Sequence, residues 1–305
     1  MKPAPQLLVR ALFSLLLATA LSGLPAHAAT VLYAGGQISG IVRKFDATTG
    51  ASVSGFSTPA ANYPDGILVV GNTLFVSGFF DNRVSTYRAD TGAVMNYGFI
   101  TGVRGASALA ISGNTLYVAA ANDGTVGTYD ATTGAPINVS LITGVSTVSS
   151  LQLSGNDLFL GRSQNTTVRR YNATTGALIN SSFIPGLLSP RGFALDGDHL
   201  FVADYGNGTV GEYSATTGAA INASLIRFLN SPTGIALEGD RLFVTGFAQG
   251  NIDEYSATTG ALTHFHLVTG LSNPVSLAVS SPAPEPGSAA FALLGSLGLL
   301  ARRRR

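Results

Sequence analysis

The sequence predicts an all-β fold: a six-bladed β-propeller of 42-residue repeats, its ring closed by pairing an N-terminal strand b with a C-terminal strand a. Three observations carry this. A six-residue element recurs at residues 45–50 (FDATTG), 87–92 (YRADTG), 129–134 (YDATTG), 171–176 (YNATTG), 213–218 (YSATTG) and 255–260 (YSATTG), each closing glycine 42 residues after the last. A fixed period of about 40 to 45 residues with strand-like patterning marks propeller blades of four strands each. No part of the repeat sustains a 3.6-residue period, which sets helical solenoids aside. Finally, the ends of the array are incomplete in complementary ways. Residues 31–34 (VLYA) align with strand b of the other copies, whereas residues 275–280 form a strand a with nothing after it. Joining them makes one complete blade and removes an exposed sheet edge.

Each element of the repeat follows from its own pattern. In residues 231–267, 234–237 (GIAL) reads as strand a, 241–245 (RLFVT) as b, 251–255 (NIDEY) as c and 261–267 as d. The turns between them fall at Gly239-Asp240 and at residues 257–260. Strand a opens on a small residue in every copy, Gly66, Ala108, Ser150, Gly192, Gly234 and Ser276, as the crowded region around a propeller axis requires. The next residue is always large and apolar: Ile67, Leu109, Leu151, Phe193, Ile235 and Leu277. Strand c keeps Val42, Val84, Val126, Val168, Val210 and Ile252, with an aromatic residue three places on. These positions are assigned to the interfaces between blades and not to a ligand.

Composition narrows the chemistry. The chain has 305 residues, 46% of them hydrophobic, enough for a large core. Its 37 glycines, its 11% charged residues and the absence of Trp and Cys fit a turn-rich β protein with no disulfide framework, zinc–thiolate site or Cys nucleophile. Between Thr30 and Ser281 stand 11 basic and 15 acidic side chains, a net of −4. No nucleic-acid partner is expected of such a body.

The two ends read as addresses. Lys2 and Arg10 precede an apolar run at residues 11–21, followed by the small-residue site Ala26-His27-Ala28. This predicts a secretory signal peptide over residues 1–28 and makes signal peptidase a partner. The alternative, an uncleaved anchor helix, is disfavoured because the run is shorter than the ~18 residues of a membrane span. The body then covers residues 30–281 and a tail covers 282–305. That tail begins with Pro284, Glu285, Pro286, Gly287 and Ser288, continues as an uncharged segment over 289–301, and ends in Arg302, Arg303, Arg304 and Arg305. It closely resembles the PEP-CTERM sorting signal of Gram-negative bacteria that make exopolysaccharide. The resemblance implies processing by an exosortase-type membrane protease and a route through the periplasm or cell envelope to the cell surface or extracellular matrix. Charge and length agree with a transient membrane contact: the arginines stay on the cytoplasmic side, and 13 apolar residues are few for a core about 30 Å thick.

At residues 231–244 (SPTGIALEGDRLFV) and 189–204 (SPRGFALDGDHLFVAD) the repeat resembles the NHL and YVTN-type propeller repeats. That superfamily holds scaffolds, peptide and glycan binders, lactonases and lyases, so the likeness implies a fold and leaves the activity open.

Any site is expected on the face where the d-to-a and b-to-c loops emerge, since these vary far more than the Thr-Thr-Gly turns. The candidate ligand-binding residues there are Asp65, Arg191, Asp204, Arg162, Phe79, Phe80 and Tyr205, with Tyr63 beside them. Asp65 and Arg191 hold the same repeat position three copies apart and are expected to face each other across the channel mouth. Arg191 and Asp204 flank one a–b hairpin, and regular antiparallel register sets them opposite each other, as a structural ion pair or as part of a site. A ring of turn residues, Ser39, Asp81, Asp123, Asn165, Asn207 and Gln249, could hold a metal, but Asp and Asn commonly stabilise turns through bonds to their own backbone. Asn138 and Asn180 open Asn-x-Ser sequons and are read as turn and strand residues. No cofactor is expected, no Ser-His-Asp set can be placed, and the six-bladed lactonase and streptogramin-lyase constellations do not map onto this chain. The leading expectation is a non-enzymatic binding or scaffold module for an exopolysaccharide, another glycan or a surface protein. The alternative is a lactonase-like hydrolase or lyase.

Overall fold

The computed structural model describes residues 30–59 and 61–280. The expected signal peptide at residues 1–28 and the expected sorting tail at 282–305, including Pro284, Glu285, Pro286 and Arg302 to Arg305, lie outside the described residues.

The described residues form six antiparallel sheets arranged as the blades of a propeller. The closing blade combines β1 (Val31–Gly36) and β2 (Val42–Asp46) with β23 (Pro274–Ser280). The second blade is β3 (Pro64–Val70), β4 (Thr73–Gly78), β5 (Arg83–Arg88) and β6 (Val94–Thr101). The third is β7 (Ala106–Ser112), β8 (Thr115–Ala120), β9 (Thr125–Asp130) and β10 (Pro136–Thr143). The fourth is β11 (Val148–Ser154), β12 (Asp157–Arg162), β13 (Val168–Asn172) and β14 (Leu178–Ile184). The fifth is β15 (Pro190–Asp196), β16 (His199–Asp204), β17 (Thr209–Ser214) and β18 (Ala220–Ile226). The sixth is β19 (Pro232–Glu238), β20 (Arg241–Gly246), β21 (Asn251–Ser256) and β22 (Leu262–Val268).

Closure occurs as the complementary ends require. β1 pairs antiparallel with β23, from Val31 opposite Ser280 to Gly35 opposite Ser276, while its other edge pairs with β2. One strand therefore joins the two ends of the chain. The side-chain hydroxyl of Thr30 donates to Glu238 Oε1 at 2.5 Å, and Arg241 Nη2 donates to the Ala47 carbonyl. Both bonds tie the closing blade to the sixth.

The closing blade departs from the expected four strands. Its fourth strand is reduced to a single bridge between Phe45 and Ser52, with Val53 N–H donating to the Lys44 carbonyl at 2.9 Å. The cause lies in two residues. Where the other copies place Ile100, Ile142, Ile184, Ile226 and Val268 in register with strand c, this copy has Thr58, whose hydroxyl accepts the Val42 N–H at 2.9 Å. The following residue is Pro59, which has no N–H to give to a ladder.

Packing runs blade to blade. The strand-c residues Val42, Val84, Val126, Val168, Val210 and Ile252 are fully buried, together with the aromatic series Phe45, Tyr87, Tyr129, Tyr171, Tyr213 and Tyr255. They fill separate apolar clusters between neighbouring sheets. Near the axis the fit is backbone to backbone. A Cβ on Gly66 would strike the Ser107 carbonyl of the next blade, and one on Gly192 would strike that of Thr233. The small residue opening strand a is thus a steric requirement.

The outermost strands carry their own irregularity. Asn96, Asn138, Asn180 and Asn222 each accept the N–H of the residue two places on, at 2.9–3.2 Å. The register of strand d shifts beside them, which interrupts an edge that would otherwise template pairing with another chain. This is the local role of the Asn138 and Asn180 sequons.

Candidate functional site

The loop face is built on one repeated device. At the start of every strand a the register with strand b slips by one, at Pro64/Gly66, Ala106/Leu109, Val148/Ser150, Pro190/Gly192, Pro232/Ile235 and the Pro274–Ser276 step of the closing blade. The bulged positions are Asp65, Ser107, Ser149, Arg191, Thr233 and Val275. A bulge leaves its residue without a cross-strand partner and re-aims its side chain. Here five of the six side chains line one cavity on the propeller axis.

Two residues before each bulge the chain turns left-handed, at Tyr63, Gly105, Thr147, Ser189, Ser231 and Asn273, with φ between 52° and 118°. Five of these are not glycine, and such φ values are sparsely populated for them. Each is held by the same bond, its carbonyl accepting an N–H from the b-to-c loop: that of Phe79, Ala121, Ser163, Tyr205, Phe247 and Gln37 respectively, at 3.0–3.1 Å. Six identical cross-loop bonds therefore fix the rim of the cavity.

The cavity measures about 220 Å³ and is lined by Asp65, Arg191, Tyr63, Phe79 and Phe80 together with Gln37, Asn122 and small polar residues. The ring position divides by chemistry. Ser107, Ser149 and Thr233 donate their hydroxyls to the Val148, Pro190 and Pro274 carbonyls of the next blade, at 2.8–2.9 Å. They are clips between blades. Asp65 and Arg191 break that pattern at opposite points of the ring.

Asp65 accepts no hydrogen bond from the described residues. It is partly buried in the lining of the cavity. This burial pushes its carboxyl up to about 6, although the Arg191 charge pulls in the opposite direction. Arg191 lies with its guanidinium 4.1 Å over the Tyr205 ring, and its Nε makes one long bond, 3.5 Å, to Ser189 Oγ. The Tyr63 hydroxyl feels both groups: burial raises its pKa, Asp65 adds to the rise and Arg191 opposes it. Tyr63, Phe79 and Phe80 pack edge to face or tilted, with ring centroids 5.0–5.8 Å apart. The result is an aromatic wall beside the carboxylate.

The remaining candidates fall elsewhere. Asp204 does not meet Arg191: the bulge pairs it with Pro190, and its buried carboxylate accepts the Leu188 N–H at 3.0 Å and the Asn207 side chain at 2.6 Å. It holds a loop, and the expected ion pair is absent. Tyr205 supports Arg191 from behind and packs against Phe247. Arg162 turns to Ser146, donating to its carbonyl at 2.8 Å and its hydroxyl at 3.2 Å. The polar turn ring serves structure too: Ser39 donates to the Gly36 carbonyl at 3.2 Å and Asn165 accepts the Thr166 N–H at 3.1 Å, both within their own turns, and two members also reach further. Asp81 and Asp123 accept the N–H groups of Asn62 and Arg104 in the preceding loop. Among the described residues no three His, Asp or Glu side chains gather as metal ligands. His199 and His264 pair with Glu212 and Glu254, at 2.6 and 3.1 Å, away from the cavity.

Comparison with known proteins places this geometry in context. A family model described as outer membrane protein assembly factor BamB matches residues 39–186. A chain of a nidogen/laminin complex is similar at 12% identity with a TM-score of 0.65, over 83% of this chain and 100% of that one. A computationally designed protein, Ika8, is similar at 19% identity with a TM-score of 0.52, over 80% and 73% of the two chains. No curated protein matches the chain. At these identities the structural likeness is one of fold. The chain is a six-bladed β-propeller, BamB-like in sequence over residues 39–186.

Proposed function

We propose that this protein is an exported propeller that binds a glycan or protein partner through its loop-face cavity and performs no chemistry on it. One observation carries the reading: at a ring position whose other polar members are spent on holding blades together, Asp65 and Arg191 stand on opposite walls of a cavity beside the Tyr63–Phe79–Phe80 wall. Concave sites that combine apolar walls with a few convergent polar groups are where ligands bind. The cavity has a single carboxylate and no histidine, which supports binding over acid–base catalysis. The expected leader and the tail from Pro284 to Arg305 support export, exosortase-type processing and delivery to the cell surface or matrix. The family name that matches residues 39–186, an outer membrane assembly factor, fits an envelope setting.

The test is direct. The secreted form, purified from the producing cells, is titrated with that organism's own extracellular polysaccharide and, separately, with its surface-protein extract. Saturable binding lost in the Asp65→Ala, Arg191→Ala double variant, by tenfold or more (~1.4 kcal/mol), supports the reading. Unaltered affinity in a folded double variant moves the site elsewhere.

A further inference from the structure

Resting on that binding reading, we propose that the cavity selects a saccharide unit carrying both a protonated amine and a carboxylate, the amine docking against Asp65 and the carboxylate against Arg191. The Ser149 and Thr233 hydroxyls donate to the next blade, and Thr147 and Ser163 bond to each other's carbonyls at 3.2 and 3.4 Å. The Gln37 and Asn122 amides and the Tyr63 hydroxyl, which also line the cavity, offer neutral contacts to any sugar. What discriminates between sugars is the pair of charges.

Arg191 is close enough for its charge to pull on the Asp65 carboxyl, yet the two form no ion pair within 4.0 Å. Each is held short of the other by its own support: Asp65 by its bulge, and Arg191 by the Tyr205 ring beneath its guanidinium. The gap between them is the cavity. A ligand with one charge would satisfy one wall and strip water from the other, leaving a charge without a partner, and that is costly. A ligand with both charges satisfies both walls. Guanidinium matches carboxylate in a two-pronged fashion. An ammonium suits a carboxylate flanked by aromatic faces, and the Tyr63, Phe79 and Phe80 rings also offer an apolar surface to the C–H face of a sugar ring.

Four monosaccharides isolate the terms: muramic acid (amine and carboxylate), glucosamine (amine only), glucuronic acid (carboxylate only) and glucose (neither). Calorimetric titration of the secreted form at pH 7.5 is expected to show muramic acid binding at least tenfold more tightly than each of the others. Asp65→Asn should bring muramic acid down to the level of glucuronic acid, and Arg191→Gln to that of glucosamine. Lowering the pH to 5 protonates Asp65 and should weaken muramic acid and glucosamine for the native protein but not for Asp65→Asn. Equal affinity for all four sugars overturns the zwitterion proposal and leaves the binding reading intact. So does failure of all four up to about 10 mM, the weak-binding range, when the native polysaccharide still binds. Failure of the sugars, the polysaccharide and the surface proteins alike overturns both.

Discussion

Replacing Asp65 by Asn changes stability in a direction opposite to most carboxylate substitutions. Its carboxyl is raised from the ordinary 3.8 to about 6, chiefly by burial, so the folded state holds the proton more tightly than the unfolded chain does. Folding is then weakest where Asp65 is charged, above pH 6, and recovers as the pH falls through 6 toward 3.8. At ~1.4 kcal/mol for each tenfold change in the ionisation constant, the displacement corresponds to about 3 kcal/mol at pH 7.5. Water entering through the channel opening screens part of this and leaves about 2 kcal/mol. Asp65→Asn, which keeps the shape and removes the charge, is therefore expected to stabilise the propeller by about 2 kcal/mol at pH 7.5. That is a rise in melting temperature of about 4–8 °C for a domain of this size. By pH 4 the gain should shrink several-fold. Urea unfolding followed by far-UV circular dichroism at both pH values measures it, the chain having no Trp to report by fluorescence. A variant no more stable than the native protein at pH 7.5, or a gain undiminished at pH 4, would refute the claim that Asp65 is held charged at a cost.

Four further outcomes follow from the packing. Deleting residues 31–36 removes the strand that joins β2 to β23 and should cause aggregation in size-exclusion chromatography; a monomer with an unchanged melting temperature would disprove the closure. Gly192→Ala drives a Cβ into the Thr233 carbonyl, whereas Gly71→Ala, at φ +56°, meets open space. The first should cost more than about 2 kcal/mol and the second about 1, and the opposite ranking in denaturant melts would count against the close approach of the inner strands. Leu160→Ala, fully buried in the third-to-fourth blade interface, should cost about 2–5 kcal/mol by the same assay. Arg241→Ala should cost about 2–4 kcal/mol at pH 7 by taking the guanidinium from Glu254, whose side chain is 6% exposed, and leaving it mainly His264 as a charge partner. Burial pushes the Glu254 carboxyl up, but the Arg241 hydrogen bonds and charge outweigh it and hold the group below its usual 4.5. The native advantage should accordingly fade as the pH drops below about 4.5; a difference that stays constant to pH 3 would be inconsistent with that pairing.

Much of the ring was legible because a repeat turns position into geometry. Counting 42 residues from Asp65 names Ser107, Ser149, Arg191, Thr233 and Val275, and three copies of six is half a turn, which sets Asp65 against Arg191. The aromatic wall was legible as loop residues of the same face. What could not be read was register. Residue counting assumes a regular hairpin, and on that assumption Arg191 meets Asp204; the bulge at each strand a shifts the pairing and sends Arg191 into the channel. The bulges leave no consistent residue signature, since the six positions hold Asp, Ser, Ser, Arg, Thr and Val. Nor is the left-handed turn before them signalled by glycine, except at Gly105. The shortened fourth strand of the closing blade did have a signal, Thr58 and Pro59 in place of Ile or Val and its neighbour, visible once the copies are aligned against backbone pairing.

The pairing of Val31 with Ser280 also sets how the molecule bears load. Both ends of the described chain leave side by side, at the end of the β1–β23 pair away from the loop face. Tension applied between the two ends would act on the first rung of that antiparallel pair and peel it one hydrogen-bonded step at a time, the weakest way to load a β ladder. Tension on one end alone, as in a molecule held to a surface by a single terminus, does not pull the pair apart. A propeller of this construction is mechanically suited to hanging by one end, with its cavity turned outward.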